Sequence, residues 1–84
     1  MDTLKNDEEF VSYYVDGKRL AFCHFVKSEG KLLVDQTFVD ESLRGKSIGS
    51  KLMEEVVRIA ENEGLRLDAT CSYAAHYFEK NHLN

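Results

Sequence analysis

The sequence has no proline, only two cysteines and no long apolar run. Because it also lacks repeats and low-complexity segments, nothing marks a linker, and we expect its 84 residues to form one domain. Two cysteines without a visible signal peptide predict free thiols in a reducing compartment. A membrane-spanning helix needs about 20 apolar residues, and no such run is present. The composition therefore predicts a soluble, cytoplasmic protein.

Basic residues are outnumbered by acidic ones, 11 to 15, which gives a net charge of -4. This balance argues against binding to nucleic acid or to an anionic membrane, and it favours cationic partners. The three histidines, His24, His76 and His82, share no metal-ligand spacing with each other or with the cysteines. We therefore expect no metal site.

The first half of the chain is typical of a β-meander. The segments FVSYYV and RLAFCHFV are rich in β-branched and aromatic residues, and Asp16-Gly17 between them suits a tight hairpin turn. Gly30 marks the next turn, before the third strand KLLVDQTFV. Alternation predicts two faces for this strand, one with Leu33, Asp35, Thr37 and Val39, the other with Leu32, Val34, Gln36 and Phe38. Residues 1–8, which are polar and charged, are expected to be flexible.

The second half is typical of a β-α-β unit. From Ile48 the apolar period becomes that of a helix, and Gly64 provides a C-terminal stop. The segment LRLDATC then predicts a short strand that returns beside the third strand through a right-handed parallel crossover. Ser72 is expected to cap a short final helix, YAAHYFEKN. The predicted fold is α+β or α/β: an antiparallel three-stranded meander, a β-α-β crossover and a short C-terminal helix.

The segment LRGKSIG lies between the third strand and the long helix. At such a junction backbone N–H groups converge on an anion, and the helix dipole adds about half a positive charge. Arg44 and Lys46 supply full charges, while Gly45 and Gly49 leave the backbone accessible. The segment therefore predicts a phosphate-binding loop. An ordinary glycine turn before a capped helix would explain the same residues.

The run from Val39 to Leu52 resembles the acetyl-CoA motif of the GNAT superfamily of N-acetyltransferases. Arg44 and Gly49 match the ends of that motif, and Ser47 replaces its middle glycine, a change that a small residue with a helix-compatible backbone would tolerate. The segment CSYAAHYFEKN resembles the next segment of the superfamily. The resemblance covers roughly Phe10 to the C-terminus and is closest to the short, single-domain branch. It implies a GNAT-like fold and acetyl-CoA as the cofactor.

The resemblance also implies where the cofactor binds. The pantetheine arm would pair with the third strand, and the pyrophosphate would rest on the glycine loop. The residues expected to hold the cofactor are Thr37, Phe38, Val39, Arg44, Gly45, Lys46, Ser47, Ile48, Gly49 and Ser50.

The catalytic residues are less clearly indicated. Phe78 stands where the superfamily usually has its acidic tyrosine, which leaves the hydroxyls of Tyr73 and Tyr77. Cys71 replaces the usual asparagine and precedes a helix, where a thiol pKa is lowered; it would serve as nucleophile, proton donor or cofactor contact. We predict Cys71, Tyr73 and Tyr77 as catalytic, although ordinary packing would also explain each. Asp35 and His24 are alternative candidates for the base, and both are also typical of a sheet surface.

Three functions are compatible with these residues. The leading hypothesis is an acetyl-CoA-dependent N-acetyltransferase that acts on a small-molecule or protein amine, as a monomer or weak homodimer. The second is a non-catalytic module that binds CoA or acyl-CoA or another protein, favoured by the missing tyrosine, asparagine and acceptor helices. The third is a nucleotide-binding domain unrelated to CoA. It is disfavoured because Asp40 stands where a P-loop has its first glycine.

Overall fold

The computed structural model describes residues 1–83, so Asn84, the last residue of the predicted domain, lies outside the described range. Five strands form one sheet in sequential order: β1 (Asp2–Asn6), β2 (Phe10–Val15), β3 (Lys18–Ser28), β4 (Lys31–Val39) and β5 (Arg66–Ala69). The first four are antiparallel, and β5 is parallel to β4. Helix α1 (Ile48–Glu63) joins β4 to β5, and α2 (Ser72–Lys80) follows. The predicted α+β architecture, with an antiparallel meander, a β-α-β crossover and a short C-terminal helix, is confirmed.

In place of the flexible start predicted for residues 1–8, the chain begins with strand β1 along the edge of β2. Its five residues are all exposed, so they show no apolar period from which a strand could be predicted. Backbone pairing with β2 holds β1, and two side-chain contacts add to it. The Tyr13 hydroxyl donates a hydrogen bond to Asp2 at 2.5 Å, and the Asn6 amide donates to Glu55 on α1.

One hydrophobic core joins both helices to the same face of the sheet. Alternate residues of β2, β3 and β4 supply the sheet side of this core: Val11, Tyr13, Ala21, Cys23, Phe25, Leu32 and Val34. The helices supply the other side: Ile48, Leu52, Met53, Val56, Ile59, Ala60, Ala74 and Phe78. Phe78 is fully buried, which explains the apolar residue at this position of α2.

A β-bulge at Asp35 divides β4 into two halves. In the ladder between β3 and β4, Phe25 pairs with Val34 and His24 pairs with Gln36, so the register skips Asp35. The extra residue reverses the alternation of faces along the strand. Thr37 consequently lies opposite the buried Cys23, on the helix side. The predicted assignment of faces in β4 was therefore wrong beyond Asp35.

The strand β5 accompanies only the first half of β4, from Lys31 to Val34. The N–H groups of Thr70 and Cys71 both donate to the Val34 carbonyl, at 3.0 and 3.3 Å, and the chain then turns into α2. In the sheet formed by residues 1–83, the second half of β4 therefore has one open edge. An extended chain can pair with such an edge as an added strand would.

Candidate cofactor and catalytic site

A pocket of about 400 Å³ lies where the open half of β4, the start of α1 and the start of α2 meet. It is lined by Thr37, Val39, Leu43, Arg44, Gly45, Ser47, Ile48, Gly49 and Tyr73. The structure thus brings together most of the residues predicted to hold a cofactor, and it adds Leu43, which no motif had indicated.

Three of the predicted cofactor residues lie outside this pocket. Phe38 is 44% exposed on the opposite face of β4, because the bulge reverses its direction. Lys46 is exposed on the loop. Ser50 lines a neighbouring groove of about 330 Å³ between α1 and α2.

The loop before α1 is shaped by left-handed backbone at two positions. Gly45 has φ 82°, and Ser47 has φ 61° and ψ 27°. The helix-compatible backbone predicted for Ser47 was therefore wrong. Residues with a Cβ adopt left-handed backbone at a cost of about 1–2 kcal/mol, whereas glycine does so freely, which is a physical reason for the glycine of the superfamily motif.

The loop is also anchored at its beginning. Leu43 is buried in the core, and Asp40 caps the single 3-10 turn formed by Glu41–Leu43. The Asp40 carboxylate accepts from the hydroxyl and the N–H of Ser42, at 2.6 and 3.0 Å, and these hydrogen bonds lower the pKa of Asp40. These contacts within the chain fix the backbone that leads from β4 into the pocket.

The N-terminus of α1 presents backbone N–H groups that can bind an anion. Ile48, Gly49 and Ser50 form the first helical turn, where N–H groups have no acceptor within a helix. Among the described residues, the side chain of Ser47 makes no capping hydrogen bond to them. These N–H groups and the helix dipole are therefore available for a negative group, with the side chains of Arg44 and Lys46 exposed beside them.

Tyr73 forms one wall of the pocket and lies against Gly49. A Cβ added to Gly49 would be 2.5 Å from the Tyr73 hydroxyl oxygen, so the glycine provides the space that the phenol occupies. Tyr77 lies outside this pocket and lines the neighbouring groove between α1 and α2, which Tyr73 also borders, and its ring lies edge-on to Phe78. Burial raises the pKa of Tyr77, and the charge of Glu54 adds to this. Of the two predicted tyrosines, only Tyr73 lines the pocket.

Cys71 is the N-cap residue of α2, in place of the predicted Ser72. Its Sγ lies 3.5 Å from Oγ1 of Thr37, which lines the pocket. Burial raises the pKa of the Cys71 thiol, but the Thr37 hydroxyl and the nearby N–H groups of Ala74 and Tyr73 favour the thiolate more strongly, and the resulting pKa is below the usual value. By contrast, burial raises the pKa of Cys23 to about 12. Cys71 is therefore the thiol that ionises more readily.

A second polar cluster lies on the opposite face of the sheet, beside the bulge. His24 Nδ1 is 2.6 Å from Asp35 Oδ1, and His24 Nε2 is 3.2 Å from Glu9 Oε1. The hydrogen bond with Asp35 raises the pKa of His24, although burial opposes it, and Glu9 contributes further. The sequence shows these residues 11 and 15 positions apart, and only the bulge and the turn between β1 and β2 bring them into contact.

Within residues 1–83, no group of three or more histidine, cysteine, aspartate or glutamate side chains is arranged to hold a metal ion. No helix in this range has the length and hydropathy needed to cross a bilayer.

A family model described as GCN5-related N-acetyl-transferase matches residues 10–83. Among solved structures, the chain is similar to a GCN5-like protein of Staphylococcus aureus, with 28% identity and a TM-score of 0.77 over 94% of this chain and 79% of that one. PaiA N-acetyltransferase of Thermoplasma acidophilum, solved with coenzyme A, shares 18% identity at a TM-score of 0.70, over 86% of this chain and 48% of its own.

A third similar structure is ribosomal-protein-alanine N-acetyltransferase of Brucella melitensis. It shares 22% identity at a TM-score of 0.68, over 84% of this chain and 60% of its own. The chain thus spans about half to four-fifths of these proteins. No protein of curated function matches it significantly.

Proposed function

Since the chain belongs to the family of GCN5-related N-acetyltransferases, we propose that this acetyltransferase takes its acetyl group from acetyl-CoA and transfers it to an amine. The observation that carries the proposal is the pocket at the open edge of β4. There, an unpaired strand edge, a glycine loop and a helix N-terminus meet in about 400 Å³. A molecule with an extended amide chain and a pyrophosphate has a partner for each part.

Each part of the cofactor is assigned to a different element. The pyrophosphate binds the N–H groups at the start of α1, with Arg44 and Lys46 as counter-charges. The pantetheine amides pair with the backbone of β4 around Thr37, Phe38 and Val39. Coenzyme A in the structure of PaiA, which has the same fold, supports this type of cofactor.

We assign the chemistry chiefly to Cys71. Its surroundings favour the thiolate, and a group held as a thiolate is a better nucleophile than proton donor. In this scheme Cys71 Sγ bonds to the acetyl carbon, the bond to the CoA sulfur breaks, and the departing CoA thiolate takes a proton from Tyr73 or from water. The amine then attacks the acetyl-cysteine, the amide forms, and Cys71 leaves again as thiolate.

The proton released by the amine goes to the cluster on the other face of the sheet. Asp35 directly follows Val34, whose carbonyl holds the N–H of Cys71, so the cluster lies next to the point where β5 leaves β4. The neutral imidazole of His24 is a suitable acceptor, and the carboxylates of Glu9 and Asp35 attract an ammonium group. This assignment predicts that activity increases as the pH rises through the pKa of His24.

The remaining features of the proposal follow from charge and thiols. The net charge of -4 favours a cationic acceptor, either a small amine or a protein amine, and disfavours nucleic acid and membrane as partners. Cys23 and Cys71 are both free, which fits the reducing cytoplasm. We further propose that the enzyme acts as a monomer or weak homodimer.

Transfer of a radiolabelled acetyl group to a panel of polyamines, lysine peptides and peptides with free N-termini tests the proposal. Incubation with acetyl-CoA alone should add one acetyl group to Cys71, visible by intact mass, and Cys71→Ala should remove both this adduct and turnover. Cys23→Ala is the matched control and should retain both. Cofactor binding without turnover on any amine would refute the enzymatic proposal and leave a CoA-binding module. Failure of acetyl-CoA and CoA to bind would refute both functions.

A further inference from the structure

The side chain of Thr37 has a contact that its backbone role in cofactor binding does not require. Its Oγ1 is 3.5 Å from Sγ of Cys71, although the two residues are 34 positions apart. We propose that Thr37 is a positioning residue for Cys71. The Thr37 hydroxyl accepts a hydrogen bond from the Cys71 thiol and donates one to the thiolate. The inference rests on the proposed function, because it assigns a role to a residue that serves the nucleophile.

The bulge at Asp35 is what places this hydroxyl. In a regular strand with Asp35 paired to His24, Thr37 would lie on the face of β4 opposite to that of Val34. With the bulge, Thr37 pairs with Cys23 on the helix side, beneath the start of α2. The position of the sulfur is fixed independently, because the Cys71 N–H donates to the Val34 carbonyl at 3.3 Å. Both partners are therefore held by the backbone of the same strand.

A threonine is suited to this place because its hydroxyl can reverse its role. The neutral thiol is a donor, so Thr37 accepts; the thiolate is an acceptor only, so the hydroxyl rotates and donates. The N–H groups of Tyr73 and Ala74 also favour the thiolate, whereas burial opposes it. Cys23, the other thiol beside Thr37, stays protonated at neutral pH and adds no charge. The hydroxyl is thus the one side-chain partner among the causes that lower the pKa of Cys71.

The rate of alkylation of Cys71 by iodoacetamide, measured against pH, tests the proposal without any acetyl transfer. The variants are Thr37→Val, which keeps the shape but lacks the hydroxyl, and Thr37→Ser, which keeps the hydroxyl. We expect Thr37→Ser to retain the wild-type midpoint and Thr37→Val to raise it by roughly one pH unit. At pH 7 the thiolate fraction of Thr37→Val should fall about tenfold, but each remaining thiolate is more nucleophilic. The alkylation rate should therefore fall only about threefold. Cys71→Ala provides the background from Cys23.

An unchanged midpoint in folded Thr37→Val, shown by its amide NMR spectrum, would overturn the proposal. If that variant does not fold, the wild type gives the answer: the Thr37 side-chain resonances should titrate with the midpoint of the Cys71 Cβ resonance, and their failure to do so would overturn it equally. The result is separable from the proposed function. A midpoint that depends on the hydroxyl in a protein without transferase activity would retain the contact and reject the reaction.

Discussion

Ser47→Gly should stabilise the protein, although it replaces a polar residue at the start of a helix. Ser47 is the N-cap position of α1 but has left-handed backbone, and its side chain makes no capping hydrogen bond within residues 1–83. Removing the side chain therefore loses no described contact and relieves the backbone. The same reasoning applies to Gly45→Ala at φ 82°. The added Cβ would meet open space, so this change should destabilise the protein only through the strain of its left-handed backbone.

The magnitude follows from two opposing terms. Left-handed backbone costs an L-residue about 1–2 kcal/mol relative to glycine. Glycine also makes the unfolded chain more flexible, which opposes the gain by about 0.4–1 kcal/mol. We expect Ser47→Gly to raise the free energy of unfolding by about 0.5–1 kcal/mol, and Gly45→Ala to lower it by about the same amount. In a domain of this size the midpoint temperature should move by about 2–8 °C in each direction.

Urea unfolding followed by circular dichroism measures both changes, with thermal unfolding as a second readout. The slope of the free energy against urea should stay constant, which shows that the compactness of both states is unchanged. If Ser47→Gly leaves the stability unchanged or lowers it while Gly45→Ala behaves as expected, the backbone argument at position 47 is refuted. In that case the serine side chain stabilises the loop in a way that the structure does not show.

Three further predictions concern the site. Gly49→Ala should lower acetyl-CoA affinity in isothermal titration, because its Cβ displaces Tyr73, and the double variant with Tyr73→Ala should lose that sensitivity; equal losses in both backgrounds would contradict the contact. His24→Gln should have a lower free energy of unfolding than wild type below about pH 6.5, and this difference should vanish as the pH rises through the raised pKa of His24. In an Asp35→Asn background the difference caused by His24→Gln should be smaller at every pH, because the hydrogen bond with Asp35 is weakened. Phe78→Tyr should restore no acid catalysis and should destabilise the fold by about 1–3 kcal/mol, measured by urea unfolding, because the hydroxyl enters the core; an active, stable variant would contradict this placement.

The elements that the sequence predicted correctly are those with a strong local signal. The hairpin turn at Asp16-Gly17, the apolar stripe from Ile48 and the stop at Gly64 depend on residues close together in the chain. The glycine loop was also predictable, because its residues are contiguous and lie between a strand and a helix. In that position the backbone N–H groups at the start of the helix have no acceptor within the helix. Strand β1 was missed because only backbone pairing and polar contacts hold it.

The residues that could not be placed from sequence depend on long-range register. One extra residue in β4 brings Thr37 into contact with Cys71 and Asp35 into contact with His24. No local property of the sequence around Asp35 predicts a bulge. Similarly, the packing of α2 against α1 decides that Tyr73 lines both the pocket and the neighbouring groove, whereas Tyr77 lines only the groove. Within its own strand His24 is typical of a sheet surface. Its contacts with Asp35 and Glu9, which are 11 and 15 residues away, are not visible in the local sequence.

The bulge at Asp35 gives β4 a reading frame. Deleting Asp35 would leave Gln36 opposite His24 and Thr37 opposite Cys23 in a regular ladder, whereas pairing Asp35 itself with His24 would exchange the faces of every later side chain: Gln36 and Phe38 would point toward the pocket and Thr37 away from it. The functional half of the strand is therefore specified by a count of residues as much as by their identities. Deletion of Asp35 should therefore be tolerated better than deletion of Thr37, which would exchange the faces of the residues that follow it.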